Sequence, residues 1–158
     1  MEKQAFIVVG LDAFGLTIVQ TLAKTDVDLL VIDRNPKRLE DAADLVLNAV
    51  CADARDPDIL KQLGVSGFHG AVVSADHLED SVLISMLLKE AGVPFVLVKA
   101  ATELEGRVLR KVGADKVIIP DLEMGIRVAN QIAEGGYSTA SKEIPEEPGP
   151  QPGYLGPE

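Results

Sequence analysis

The stretch FIVVGLDAFGLTIVQTL, residues 6–22, decides the fold. A short continuous apolar run, Phe6 to Val9, leads into Gly10-Leu11-Asp12-Ala13-Phe14-Gly15 and then into an apolar helical segment. Strand, turn and helix in this order carry the fingerprint G-x-G-x-x-G of dinucleotide-binding folds. There the first glycine makes the tight turn, the second lets the backbone approach a pyrophosphate, and the third permits close helix–strand packing. Gly10 and Gly15 hold the first and last places. Asp12 holds the middle one.

Outward from this turn, short apolar runs alternate with helical patterns as far as about residue 134. Strands are expected at Ala5–Val9, Leu29–Asp33, Leu47–Cys51, Ala71–Ala75, Phe95–Lys99 and Lys116–Ile119. Most are nearly continuous Val, Ile, Leu and Ala, as suits parallel strands covered on both faces. Helices are expected near 14–24, 36–44, 57–63, 79–91, 102–112 and 121–134. Asp56-Pro57 is a helix start, an N-cap acid followed by proline in the first turn, and Gly64, Gly92 and Gly113 stand where helices stop. Strict alternation of strand and helix predicts an α/β architecture, a Rossmann-like doubly wound six-stranded parallel sheet. Its ligand crevice falls at the switch point, beside the carboxyl ends of the first and fourth strands, where Ser74 and Ala75 lie. The domain is expected over residues 1–137. Residues 138–158, rich in Pro, Gly and Glu, cannot bury enough surface to offset the entropy of ordering and read as a flexible tail or linker.

The chain has 158 residues, 47% hydrophobic and 25% charged, an ordinary globular composition. No apolar run approaches the ~20 residues of a membrane span, and Met1–Gln4 lead directly into a strand, so no signal peptide is expected. The single cysteine, Cys51, excludes an internal disulfide and fits a reducing cytoplasm. Net charge is −10 and aromatic residues make up 4%, a balance unsuited to gripping nucleic acid or an anionic membrane.

Asp33 closes the second strand, where an acid accepts hydrogen bonds from a ribose diol; the alternative is that it only caps the turn before Asn35-Pro36. Arg34 is placed to pair with Asp33 or to stack on an adenine. Asp53 and the Ala54 backbone, in "CADARDP" after the third strand, are placed for the adenine edge, although Asp53 equally suits a loop that bonds its own backbone. Asp12 beside a pyrophosphate is repelled by about 4 kcal/mol per charge pair at ~4 Å and an effective dielectric near 20, roughly a thousandfold in affinity. Three readings follow: Asp12 replaces part of the ligand at the helix N-terminus, it holds a divalent cation that bridges to phosphates, or only the adenosine end is bound firmly. A weakened diphosphate site is preferred to a lost one. His69, His77 and Cys51 form no metal-type spacing, nucleophile elbow or acid–base pair. No catalytic residue is expected.

Asp33, "CADARDP" and the segment GADKVIIPDLEMGIRVANQI, residues 113–132, together resemble the KTN/RCK (TrkA-N type) regulatory domains of potassium channels and Trk/Ktr-type potassium transporters. The likeness runs from about residue 4 to residue 137 and is carried by Gly10 to Gly15, Asp33, Asp53-Ala54, Lys99-Ala100 and Gly113 to Gly125. It implies a cytoplasmic, non-enzymatic domain that controls potassium transport. Such domains bind NAD(H) or an adenine nucleotide (ATP, ADP or AMP) in the crevice, form homodimers or higher rings, and act on a separate membrane-embedded pore or transporter subunit.

The sequence departs from the pattern at Asp12 and at Ala13, where many such domains carry an arginine that helps hold phosphates. Lys99 is left to offer one charge to a phosphate. Asp121, in place of the usual glutamate after Pro120, is the candidate ligand for a dimer-interface cation. Ala75, Lys99 and Ala101 stand where calcium-gated domains carry carboxylates, which argues against that calcium site, though Asp76, Glu79 and Asp80 are nearby. Leu83, Met86, Leu87, Val108 and Leu109 are expected mainly in the core, with some on a dimer face. The alternatives are a binding-defective oligomerisation scaffold, with Asp12 filling the phosphate position, and a small NAD-dependent enzyme.

Overall fold

A computed structural model describes residues 3–137; the expected tail at 138–158 lies outside them. Six parallel strands, β1 (Ala5–Val9), β2 (Asp28–Asp33), β3 (Asn48–Cys51), β4 (Gly70–Val73), β5 (Val96–Lys99) and β6 (Lys116–Ile118), form one sheet in the order β3-β2-β1-β4-β5-β6. The helices are α1 (Ala13–Leu22), α2 (Pro36–Ala43), α3 (Pro57–Gln62), α4 (Leu78–Glu90), α5 (Glu103–Lys111) and α6 (Pro120–Ala133). The order reverses between β1 and β4, which places the switch point at their carboxyl ends, as expected for a doubly wound sheet.

Strand periodicity sorts the core into two layers. Ile7 and Val9 of β1, with Leu30, Ile32, Val73 and Val98, face Leu60 of α3, Ile84 and Leu88 of α4 and Leu109 of α5. Val8, Val31 and Val72 face the other way, toward Val19 of α1 and Leu39 of α2. A fully buried leucine such as Leu88 or Leu109 contributes about 2 kcal/mol of hydrophobic free energy. The helix starts follow local chemistry. Asp12, Asn35, Asp56 and Thr102 each accept a backbone N–H of the helix they precede, about 1 kcal/mol apiece.

The chain divides into two compact units, Met1–Leu122 and Glu123–Glu158. The first holds the whole sheet. In the second, the described residues continue α6 and expose Met124, Ile126, Val128 and Ile132.

Most strand boundaries move by a residue or two from expectation, and three of the shifts have a physical reason or a consequence. Leu47 is not in β3 and is 96% exposed. β3 is an edge strand, hydrogen-bonded to β2 alone, so its leading residue has no second neighbour to bury it. β4 ends at Val73 and releases Ser74 and Ala75 into the crevice. Phe95 precedes β5, but its carbonyl still accepts the Ala71 N–H at 2.8 Å.

Candidate functional site

The crevice is built from chain ends that strands deliver to one edge. Gly10 leaves β1 with φ +94°, and a Cβ there would stand 2.2 Å from the Ser74 carbonyl oxygen. Only glycine suits both that φ and that approach. A Cβ on Gly15 would lie 2.0 Å from the Gly10 carbonyl oxygen, so the start of α1 also sits directly on the turn. These two glycines keep the roles that the fingerprint assigns them.

Asp12 does not face an open phosphate seat. Its Oδ1 accepts the Gly15 N–H at 2.9 Å and the Ser74 hydroxyl at 2.6 Å, and its Oδ2 accepts the Lys99 ammonium. Burial pushes the Asp12 carboxyl up, but hydrogen bonds from Lys99, Ser74 and Gly15 outweigh it and hold the group below its ordinary value. Lys99, expected from the sequence to offer its charge to a phosphate, is engaged by Asp12. The end of β5 brings it against a carboxylate of the same chain first.

Asp33, 8% exposed, closes β2. Its Oδ2 accepts the Leu11 N–H and its Oδ1 the Asn35 N–H, both at 2.8 Å. It thus caps the following turn and also ties β2 to the glycine turn. Arg34 pairs with Asp80 at 3.8 Å and not with Asp33. The guanidinium beside Asp33 is that of Arg38, at 3.9 Å, which also holds Asp76 at 3.1 Å. Arg34 directly follows Asp33, and alternation along an extended chain turns consecutive side chains apart; Arg38, from the first turn of α2, reaches back. The Arg38 guanidinium is held above its ordinary value, chiefly by the Asp76 hydrogen bond.

Asp53 accepts the Arg55 backbone N–H at 3.0 Å and the Arg55 guanidinium at 2.8–3.3 Å. Arg55 also reaches Asp80 at 3.2 Å. The Arg55 hydrogen bonds hold the Asp53 carboxyl down at about 2, and those same bonds raise Arg55 above its ordinary value.

Gly10, Asp33, Arg34, Asp53, Ala54, Ser74 and Ala75, all singled out from the sequence, line a single cleft. Arg38, Arg55, Asp76 and Asp80 line it too, and sequence reasoning missed them as site residues. The available signal was the i, i+4 spacing of Asp76 and Asp80 just after the fourth strand, which puts both acids at the switch point. Leu11, Asp12, Ala13, Phe14, Gly15 and Lys99 do not line the cleft. Leu11 is core and offers only its N–H to Asp33, Phe14 in α1 packs against the same core layer, and Ala13 is exposed. The cleft encloses about 60 Å³, against the ~300–1,000 Å³ of ordinary small-molecule sites. The three arginines bridge over it, and each is more than a third exposed, so their side chains can swing aside.

Asp121 is exposed in the first turn of α6, and among the described residues no group of three or more His, Cys, Asp or Glu is arranged to hold a metal. His69 Nδ1 accepts the Ala5 N–H at 3.0 Å, a structural bond at the start of β1. His77 precedes α4 without a side-chain capping bond. No described helix is long and apolar enough to cross a membrane.

The comparisons agree with this architecture. The TrkA-N domain profile matches residues 6–120. The chain is 34% identical over 131 residues to Ktr system potassium uptake protein C of Bacillus subtilis, covering 82% of this chain and 59% of that one. It is 36% identical over 135 residues to Ktr system potassium uptake protein A of Vibrio alginolyticus, covering 84% and 60%. The chain thus spans about three-fifths of the length of these relatives. The crystal structure of the TrkA-N domain of the Escherichia coli inner membrane protein ybaL superposes with a TM-score of 0.75 at 15% identity, over 83% of this chain and 98% of that one, a likeness of fold. Sequence, fold and crevice thus agree: the chain belongs to the TrkA-N domain family.

Proposed function

We propose that this chain is a non-catalytic, adenine-nucleotide-responsive regulatory domain of a potassium uptake system. It works in the cytoplasm as a homodimer or higher ring against a separate membrane-embedded potassium pore or transporter subunit. The potassium role rests on the two Ktr relatives. The ligand reading rests on one observation: Asp33 ends β2 at the switch point, fixed by two backbone N–H groups. Each of its oxygens keeps a lone pair for a ribose hydroxyl. Ala54 and Arg34 lie where an adenine would follow. NAD(H), ATP, ADP and AMP all share that adenosine end, and the geometry supports the shared end.

A route from ligand to assembly is built in. Asp80 lies in the first turn of α4 and is held by Arg34 and Arg55. The same helix exposes Leu83 and Met86, and α5, packed beside it, exposes Leu104 and Val108. An adenosine that enters the cleft shifts those arginines together with their carboxylate partners, changes the hold on α4, and biases how a second copy seats on the apolar face. The bias equals the ligand's difference in affinity between the two arrangements. Asp121, exposed at the start of α6, is the proposed ligand for a cation shared between copies.

A second reading, a scaffold without ligand, is favoured by the three donors that already engage Asp12. Calorimetric titration with adenosine, AMP, ADP, ATP, NAD⁺ and NADH separates the two, together with rubidium uptake by cells carrying native or Asp33→Ala protein. Saturable binding of an adenine compound and altered uptake in the variant support the regulatory domain. No binding together with unaltered uptake leaves the scaffold.

A further inference from the structure

We infer that Asp12 is a built-in anion occupying the phosphate seat, so that the cleft recognises the adenosine moiety and gains nothing from a 5′-phosphate. The inference rests on the adenosine reading of the cleft given above and names its ligand class: an adenine nucleoside, or a nucleotide bound by its nucleoside end alone.

An anion at the head of α1 would be held by the Gly15 N–H, by the Ser74 hydroxyl and by the ammonium of Lys99. All three converge on the Asp12 carboxylate. That carboxylate is 13% exposed and Lys99 25%, and neither lines the cleft in which Asp33 and Ala54 lie. The seat is therefore complete and closed without a ligand. Nor does the cleft offer a substitute. Its three cations, Arg34, Arg38 and Arg55, are paired with Asp80, Asp76 and Asp53. A 5′-phosphate entering here meets acceptors that repel it and donors already engaged.

The Asp12–Lys99 pair also explains how an acid is tolerated in a glycine's place. At Asp12 the backbone is extended, with φ −68° and ψ −178°, a conformation open to any residue. The position needs no glycine once nothing has to approach it.

The test is the rank order of affinities by calorimetry, on the full chain and on Asp12→Asn. Asparagine keeps an oxygen for the Gly15 N–H and the Ser74 hydroxyl but removes the charge and releases Lys99. The native protein is expected to bind adenosine at least as tightly as AMP, ADP or NAD⁺. Asp12→Asn is expected to tighten ADP at least tenfold relative to adenosine. Asp12→Gly serves as the second variant, and thermal unfolding checks that each folds. A native preference of tenfold or more for ADP or NAD⁺ over adenosine overturns the inference, as does an unchanged ADP-to-adenosine ratio in folded variants. If no adenine compound binds native protein or variants, the adenosine reading itself falls and this inference falls with it. Binding with an unchanged ratio removes this inference alone.

Discussion

The ammonium of Lys99, at the last position of β5, grips the carboxylate of Asp12, the residue that caps α1, across 87 positions of sequence. Ser74, just past β4, bonds the same carboxylate. One acid thus joins the carboxyl edges of three neighbouring parts of the sheet, at the point where dinucleotide-binding turns leave room for a phosphate. The edge is closed by the protein's own charges.

Lys99→Met leaves the Asp12 carboxylate shielded from water without its cation. Loss of a hydrogen bond to a charged group predicts destabilisation of about 1.5–3 kcal/mol at neutral pH, read from urea unfolding. The folded Asp12 group titrates below its ordinary value of 3.8. Its stabilisation is therefore present above that value and lost as pH falls through the lower folded one. The gap between native and variant closes in acid and is full at pH 7.

Asp53 is expected to titrate near 2 in the native protein and to return toward about 3.9 in Arg55→Met. Carboxyl carbon NMR reads both. The sign is that of a depressed acid, so its contribution is complete above about 4 and disappears between about 4 and 2. Both side chains are more than a third exposed, so added salt weakens the effect.

Gly15→Ala forces a Cβ to within 2.0 Å of the Gly10 carbonyl. Backbone must move to relieve it, and the expected cost is about 3 kcal/mol of stability by denaturant unfolding. Gly125→Ala is the control, because nothing lies within 4 Å of a Cβ at that position; it is expected to leave stability unchanged or slightly raised.

The fold was legible from the sequence because its signals are local and agree with one another. Phe6 to Val9 followed by Gly10 and Gly15, the Asp56-Pro57 start and the stops at Gly64, Gly92 and Gly113 each need only their neighbours. Leu47 failed because burial at a sheet edge depends on which strand lies outside, which the run Leu45-Val46-Leu47 does not encode. The site was half legible. Asp33, Asp53, Ala54, Ser74 and Ala75 follow from strand ends, and the topology brings them together. The partnerships do not follow. Arg38 rather than Arg34 stands beside Asp33, and Lys99 pairs with Asp12. Each such pairing joins residues from different elements, so side-chain reach in the assembled fold decides it.

Leu83→Asp combined with Val108→Asp tests the second-copy face on α4 and α5. Both residues are exposed, at 41% and 38%, so the monomer fold is expected to keep its unfolding midpoint at low concentration. Sedimentation is expected to show a native dimer or larger ring and a monomeric variant. A native monomer, or a variant that still dimerises, removes this face from the account.

The most direct measurement of the central claim is an amide NMR titration of the native protein with adenosine. The account predicts saturable shifts at Leu11, Asn35, Ala54 and Ala75, the amides around Asp33 and the cleft, and their loss in Asp33→Ala. Shifts absent from these four amides, or unchanged when Asp33 is replaced, would contradict it.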